Sequence, residues 1–251
     1  MDLDLITDPA FYAVAIPAVL LTGLAKSGFL SGFGALAVPL MALSVPVPQA
    51  AAIMLPLLLA MDATGLQQLW RHHDRALLRL LLPAGLLGIG VGTALFGVLS
   101  VKTVAAVVGA LTLLFLAQRL FFPPKAEAAV PSKPWGFALG VASGFTSFVA
   151  HAGGPPISAY VLPLRLPPLT MAATTAVFFA VVNLTKCVPY AWLGLFDGRN
   201  LATSLVLMPL APIGVWVGVR LTRRISPVWF YRLAYGGMFL AGAKLLYDGL
   251  S

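Results

Sequence analysis

Five polar side chains, Lys26, Asp62, His151, Asn183 and Lys186, stand inside otherwise apolar runs. They belong to a 251-residue chain that is 60% hydrophobic and only 10% charged. Soluble domains carry about 25% charged residues, so the natural solvent for this chain is a bilayer. A charge at bilayer depth is costly and marks a substrate or ion pathway, or else a structural ion pair. Here such a pair would join Asp62 to Lys26 or to Lys186.

Two breaks in the apolar pattern sharpen the first reading. Lys26-Ser27-Gly28 precedes Phe29, and His151-Ala152-Gly153-Gly154 precedes Pro155-Pro156. Proline suits the first turn of a helix, where its missing N–H costs nothing. Glycine lets a backbone approach a ligand closely. Each break therefore reads as a helix N-terminus, which presents unpaired N–H groups and a positive dipole end to an anion. Transporters with broken helices use such ends in this way. The expected anion-binding set is Lys26, Ser27, Gly28, Ser147, His151, Gly153, Gly154, Asn183 and Lys186. Asp62 and His151 are the expected coupling residues, because they can exchange a proton and histidine titrates near pH 6.5. Gly32, Gly34 and Gly140 read instead as close-packing positions.

Other chemistries find little support. His72 and His73 lack partners at metal-binding spacing, so no metal is expected. Gly88-x-Gly90-x-Gly92 lies within an apolar helix with no strand before it, which excludes a dinucleotide fingerprint. With no Walker motif and no nucleophile triad, no cofactor is expected. Movement of a solute would then draw on an ion gradient or on the solute's own gradient.

The elements that position these residues are ten apolar segments, roughly 10–25, 29–45, 48–69, 76–98, 101–121, 135–150, 155–164, 168–193, 200–221 and 227–248. A full crossing needs about 20 residues, so the first, second, sixth and seventh look short. The expected fold is an all-α polytopic membrane protein of two inverted repeats. Each repeat holds a re-entrant or short helix pair and three transmembrane helices. The repeats cover 1–122 and 135–251, joined by a cytoplasmic linker at 123–134.

Spacing suggests the repeat. Gly28 precedes Pro39 by eleven residues, as Gly144 precedes Pro155. Pro83, Gly88 and Gly92 recur as Pro209, Gly214 and Gly218, each set followed eight residues on by a serine, Ser100 or Ser226. Two such runs in one order point to an internal duplication, with an insertion of several residues in the middle of the second copy.

Loop charge gives the inversion. Trp70–Arg79 is basic, whereas its counterpart holds Asp197 and Arg199 in balance. One loop later the pattern reverses: Lys102 alone against Arg220, Arg223, Arg224 and Arg232. Basic loops stay cytoplasmic, so equivalent loops face opposite sides and both termini are expected outside. The net charge of +8 reflects this bias and not nucleic-acid binding. The N-terminus has no basic n-region and does not read as a signal peptide. The single cysteine, Cys187, leaves no intramolecular disulfide.

The segments GLAKSGFLSGFGALAVPLMAL (Gly23–Leu43) and GVASGFTSFVAHAGGPPISAYVLP (Gly140–Pro163) resemble the two signature segments of the sulfite exporter TauE/SafE family. The second, with its H-x-G-G-P-P core, is the more specific. The resemblance runs over nearly the whole chain. It implies a permease that exports a small sulfur-containing anion such as sulfite, an organosulfonate or a related oxyanion. A bacterial inner membrane is the expected location, and proton coupling is expected from Asp62 and His151 and not from the resemblance. The alternatives are an anion channel or facilitator for another small anion, and a membrane-embedded enzyme subunit using His151 and Asp62. Lipid is the expected surrounding partner. Exact substrate and oligomeric state stay open.

Overall fold

The computed structural model describes residues 5–26, 33–96, 98–122, 130–221 and 227–251. Ser27, Gly28, Gly32, residues 123–129 of the linker, Arg223, Arg224 and Ser226 lie outside the described residues.

The described chain is helical, with no strand. Helix α1 (Pro9–Leu24) starts at Asp8, whose carboxylate accepts from Ala10 N–H at 2.9 Å. A 3₁₀ turn at Phe33–Leu36 leads into the short α2 (Ala37–Met41). Long helices follow: α3 (Val47–Leu69), α4 (Arg75–Phe96) and α5 (Val101–Phe121). The second half begins with α6 (Lys133–Ala150) and α7 (Gly154–Val161), extended by a 3₁₀ turn to Leu164. It continues with α8 (Pro168–Trp192), α9 (Gly198–Leu207), α10 (Leu210–Leu221) and α11 (Pro227–Leu250). Among the described residues α3, α4, α5 and α8 are long and apolar enough to cross a membrane.

One expected segment is corrected. The run 200–221 is two helices, because Pro209 interrupts it at Met208-Pro209. Proline offers no N–H and its ring crowds the preceding turn, and a second proline follows at 212. Ala211 N–H falls back to a 3₁₀ contact with Met208 O at 3.0 Å. Its counterpart Pro83 stays within the unbroken α4.

Close contacts fix the helix directions. Cβ atoms built on Gly140, Gly88 and Gly92 would meet Ala84, the Val141–Phe145 backbone and Phe148 in turn, so α4 and α6 run parallel. Asp74 N–H donates to Thr174 Oγ1 at 2.9 Å, which puts the starts of α4 and α8 together. A Cβ on Gly136 would strike the Tyr160 ring, so α7 returns beside α6 toward its start. Helices α6 and α7 therefore enter and leave at one end of the molecule. The eighteen residues of α6 reach about 27 Å at 1.5 Å per residue, close to the thickness of a hydrocarbon core.

The other end, termed upper, gathers different starts. Ser44 Oγ lies 3.5 Å from Ala10 O, joining the entry of α3 to that of α1. Gln49 Nε2 donates to Asn200 Oδ1 at 3.0 Å, which adds the start of α9. A Cβ on Gly23 would stand 2.7 Å from Gly214, so α1 and α10 touch through glycine. Likewise α5 and α11 pack antiparallel through Gly109, Gly242 and Gly249. Without the water-exclusion drive between helices, such small residues let backbones close in and gain dispersion. The exterior carries Leu87, Leu114, Val188 and Leu240 outward, as lipid contact demands.

Candidate substrate site

The polar residues gather in two clusters joined by α8. Asn183 and Lys186 are three positions apart and so share one helical face. Both are buried, Lys186 completely.

The first cluster centres on Asp62 of α3. Its Oδ1 is ion-paired with Lys26 Nζ at the end of α1, and its Oδ2 accepts from Asn183 Nδ2 at 2.5 Å. The Lys26 side chain keeps 22% of its surface exposed, Asp62 6%. Of the two pairings open to Asp62, the structure shows the one with Lys26.

The second cluster centres on Lys186. Its ammonium donates to Ser147 O at 3.0 Å and to Ser147 Oγ at 3.1 Å, and meets His151 Nδ1 at 2.7 Å. His151 Nε2 lies 2.9 Å from Ala51 O on α3. A carbonyl only accepts, so Nε2 carries hydrogen and Nδ1 accepts from the lysine. His151 is thus a neutral ring with both nitrogens engaged. All three partners of Lys186 are uncharged.

The chain bends sharply to bring His151 here. It ends α6 in the left-handed region, φ 53°, a conformation that non-glycine residues seldom adopt. Hydroxyls of α6, and that of Tyr190 on α8, hold the turn. Ser143 Oγ donates to Gly153 O at 2.7 Å and Tyr190 Oη to Phe148 O at 2.6 Å, while Thr146 Oγ1 lies between Ala142 O at 2.9 Å and Ala152 O at 3.0 Å. These bonds satisfy carbonyls that a helix end and turn would leave unpaired. A Cβ on Gly153 would come within 2.8 Å of Ser143 O, so only glycine fits there. Helix α7 then starts at Gly154, with Pro155 and Pro156 in its first turn.

Lys26, Asp62 and Asn183 are therefore together, as are Ser147, His151 and Lys186, with Gly153 and Gly154 adjoining. Ser147 touches Lys186 as an acceptor. The expected Ser27 and Gly28 lie outside the described residues. Ser143, Thr146, Tyr190 and Ala51 were not singled out by the sequence. Ser143 and Thr146 carried a faint signal, as hydroxyls three apart beside a helix break. Ala51 carried none, since it acts through its carbonyl. Among the described residues no group of three His, Cys, Asp or Glu converges for a metal.

An apolar helical bundle enclosing two lysines, one carboxylate and a histidine is that of an integral membrane protein. The sequence model of the sulfite exporter TauE/SafE family matches residues 15–245. The chain belongs to that family. A curated relative from Cupriavidus necator (strain ATCC 17699), named "Probable sulfite/organosulfonate exporter TauE", is 24% identical over 115 residues. That match covers 46% of this chain and 45% of the relative, so it spans about half the length of the relative. No solved structure matches.

Proposed function

We propose that this protein is a secondary transporter that exports a small sulfur-containing anion, sulfite or an organosulfonate, and that the anion binds between Lys26 and Lys186 beside Gly153-Gly154. One observation carries the reading. The interior holds two lysines and one carboxylate, and Lys186 is fully buried among neutral partners. Two interior lysines sharing one carboxylate leave a buried positive charge uncompensated, which is expensive, and an oxyanion supplies the missing charge with acceptors for the ammonium. The substrate class follows the family and the relative's name.

The proton step follows from hydrogen-bond roles. A second proton on His151 would sit on Nδ1, facing a lysine that only donates. The Lys186–His151 contact must then open, exposing two cations to the anion. Deprotonation restores the contact and expels the anion. Lys26 and Asp62 are the other charged groups nearby, and Asp62 holds Lys26 in place through both states.

Packing supports an inverted repeat. Asp62 and Asn183, 121 positions apart, bond directly across α3 and α8. Residues that touch their own counterparts lie on a pseudo-two-fold axis. Gly23 and Gly144, also 121 apart, pack against Gly214 and the Gly85–Gly88 stretch respectively. This register pairs Gly144 with Gly23, five residues before the Gly28 that spacing suggests. The later pair Gly88 and Gly214 is 126 apart, which places the insertion between α8 and α10.

Charge supports the orientation. The lower end carries Arg71, Arg75, Arg79, Arg119, Lys133 and Arg165 against Asp74, while the upper end balances Lys102, Arg199 and Lys244 with Asp8, Asp197 and Asp248. The lower end is then cytoplasmic in a bacterial inner membrane, with both termini outside. Counterflow tests the function: liposomes loaded with unlabelled sulfite should accelerate entry of labelled sulfite. Entry indifferent to internal sulfite would make the protein a channel.

A further inference from the structure

A cavity of about 730 Å³ opens at the lower end, where α3 turns into α4. Arg71, Arg75 and Arg79 line it together with Trp70 and the apolar Leu78 and Leu82. Arg75 and Arg79 are four apart, so their like charges share one face of α4. Among the described residues none of the three arginines is paired with a carboxylate. The nearest in sequence, Asp74, spends Oδ1 on capping Leu77 N–H at 2.9 Å. Three guanidinium groups gathered without a counter-ion call for an anionic ligand, and their planar forks match phosphate oxygens.

The surroundings say what carries that phosphate. Trp70 is 56% exposed and tilts over the His73 ring at 5.4 Å, as interfacial aromatic residues do at headgroup level. Toward the bilayer the cavity wall turns apolar at Leu82. The same row of α4 continues through Leu86, which is exposed, to Gly90, where an added Cβ would meet nothing within 4 Å. A charged mouth thus adjoins an exposed apolar strip along α4. A soluble anion would use only the mouth, whereas a phospholipid would use both. Basic pockets on transmembrane helices hold anionic headgroups in this way.

We infer that this cavity is a binding site for an anionic phospholipid, its phosphate held by Arg71, Arg75 and Arg79 and one acyl chain lying along Leu82, Leu86 and Gly90. The site lies apart from the lysine clusters and does not depend on which anion is transported.

Native mass spectrometry of the purified full chain with added phosphatidylglycerol, phosphatidylcholine or soluble glycerol phosphate tests this. Phosphatidylglycerol should stay bound to wild type, and the double change Arg75→Gln/Arg79→Gln should weaken it at least tenfold. Phosphatidylcholine and glycerol phosphate should each bind at least tenfold more weakly than phosphatidylglycerol. Equal retention of phosphatidylglycerol by variant and wild type would overturn the site. Glycerol phosphate binding as tightly as the lipid would overturn the lipid and leave a vestibule for soluble anions. Should the double variant fail to fold, Arg71→Gln, in the 3₁₀ turn before α4, carries the same expectation and the same overturning result.

Discussion

Lys26 and Lys186 are linked through Asp62 and Asn183, yet their surroundings differ. Lys26 ends α1 with an ion-paired carboxylate and a partly exposed side chain. Lys186 sits inside α8, wholly buried, with a serine and a neutral histidine as partners. The first is a completed ion pair that holds α1 against α3. The second is a cation whose local acceptors carry no charge. On the proposed reading, Lys26 gives most of its charge to the ion pair and Lys186 keeps its charge for the anion.

Asp62→Asn attacks that contrast most directly. It strips Lys26 of its counter-ion and leaves two unmatched cations. Removing one partner of a buried pair costs about 3–5 kcal/mol, and the partial exposure of Lys26 sets the expectation near the lower bound, about 3 kcal/mol. Thermal unfolding in detergent should show a larger loss than any other single substitution, with Lys26→Met/Asp62→Asn recovering most of it. An Asp62→Asn protein as stable as wild type would make the first cluster as unsettled as the second.

The glycine contacts give a second comparison between halves. A methyl group at Gly88 would press to 2.1 Å from Val141 O, whereas at Gly214 its closest neighbour is 3.2 Å away. Gly88→Ala should cost about 1–3 kcal/mol by overpacking and Gly214→Ala less, with Gly90→Ala, which meets open space, neutral or stabilising. Equal losses at Gly88 and Gly214 would mean that the two helix pairs are equally tight.

Smaller effects concern the proton and the orientation. His151→Gln keeps a hydrogen-bonding side chain but cannot be protonated near neutral pH. It should lose the response of flux to a pH step imposed at zero membrane potential, with anion affinity fixed at that of wild type carrying neutral His151. A wild type indifferent to that step would assign His151 to holding Lys186 alone. With Cys187 replaced, a cysteine at Gly198 should react with an impermeant reagent outside cells, and one at Arg75 should not. Reaction of both from outside would undo the opposed orientation.

The boundaries of the long helices were legible in the sequence because apolar runs ended at proline and charge. So was the polar inventory, since Lys26, Asp62, His151, Asn183 and Lys186 stand out against leucine and alanine. Their partnerships were not. Nothing in the spacing distinguishes Asp62–Lys26 from Asp62–Lys186, because that choice depends on how α1, α3 and α8 pack. The break at Pro209 escaped for the reverse reason: its counterpart Pro83 sits in an unbroken helix, so proline alone did not decide. The left-handed turn at His151 was hidden too, since its restraints come from Ser143, Thr146 and Tyr190, distant in sequence or ordinary in type.

The central claim is that Lys186 holds the transported anion. Equilibrium binding of labelled sulfite to purified wild type and to Lys186→Met, an apolar side chain of similar length, tests it most directly. Loss of a charge-assisted contact of roughly 1.5–3 kcal/mol should weaken binding about ten- to hundredfold, while Lys26→Met, already neutralised by Asp62, should weaken it less. Sulfite bound with unchanged affinity by a folded Lys186→Met protein would contradict the account.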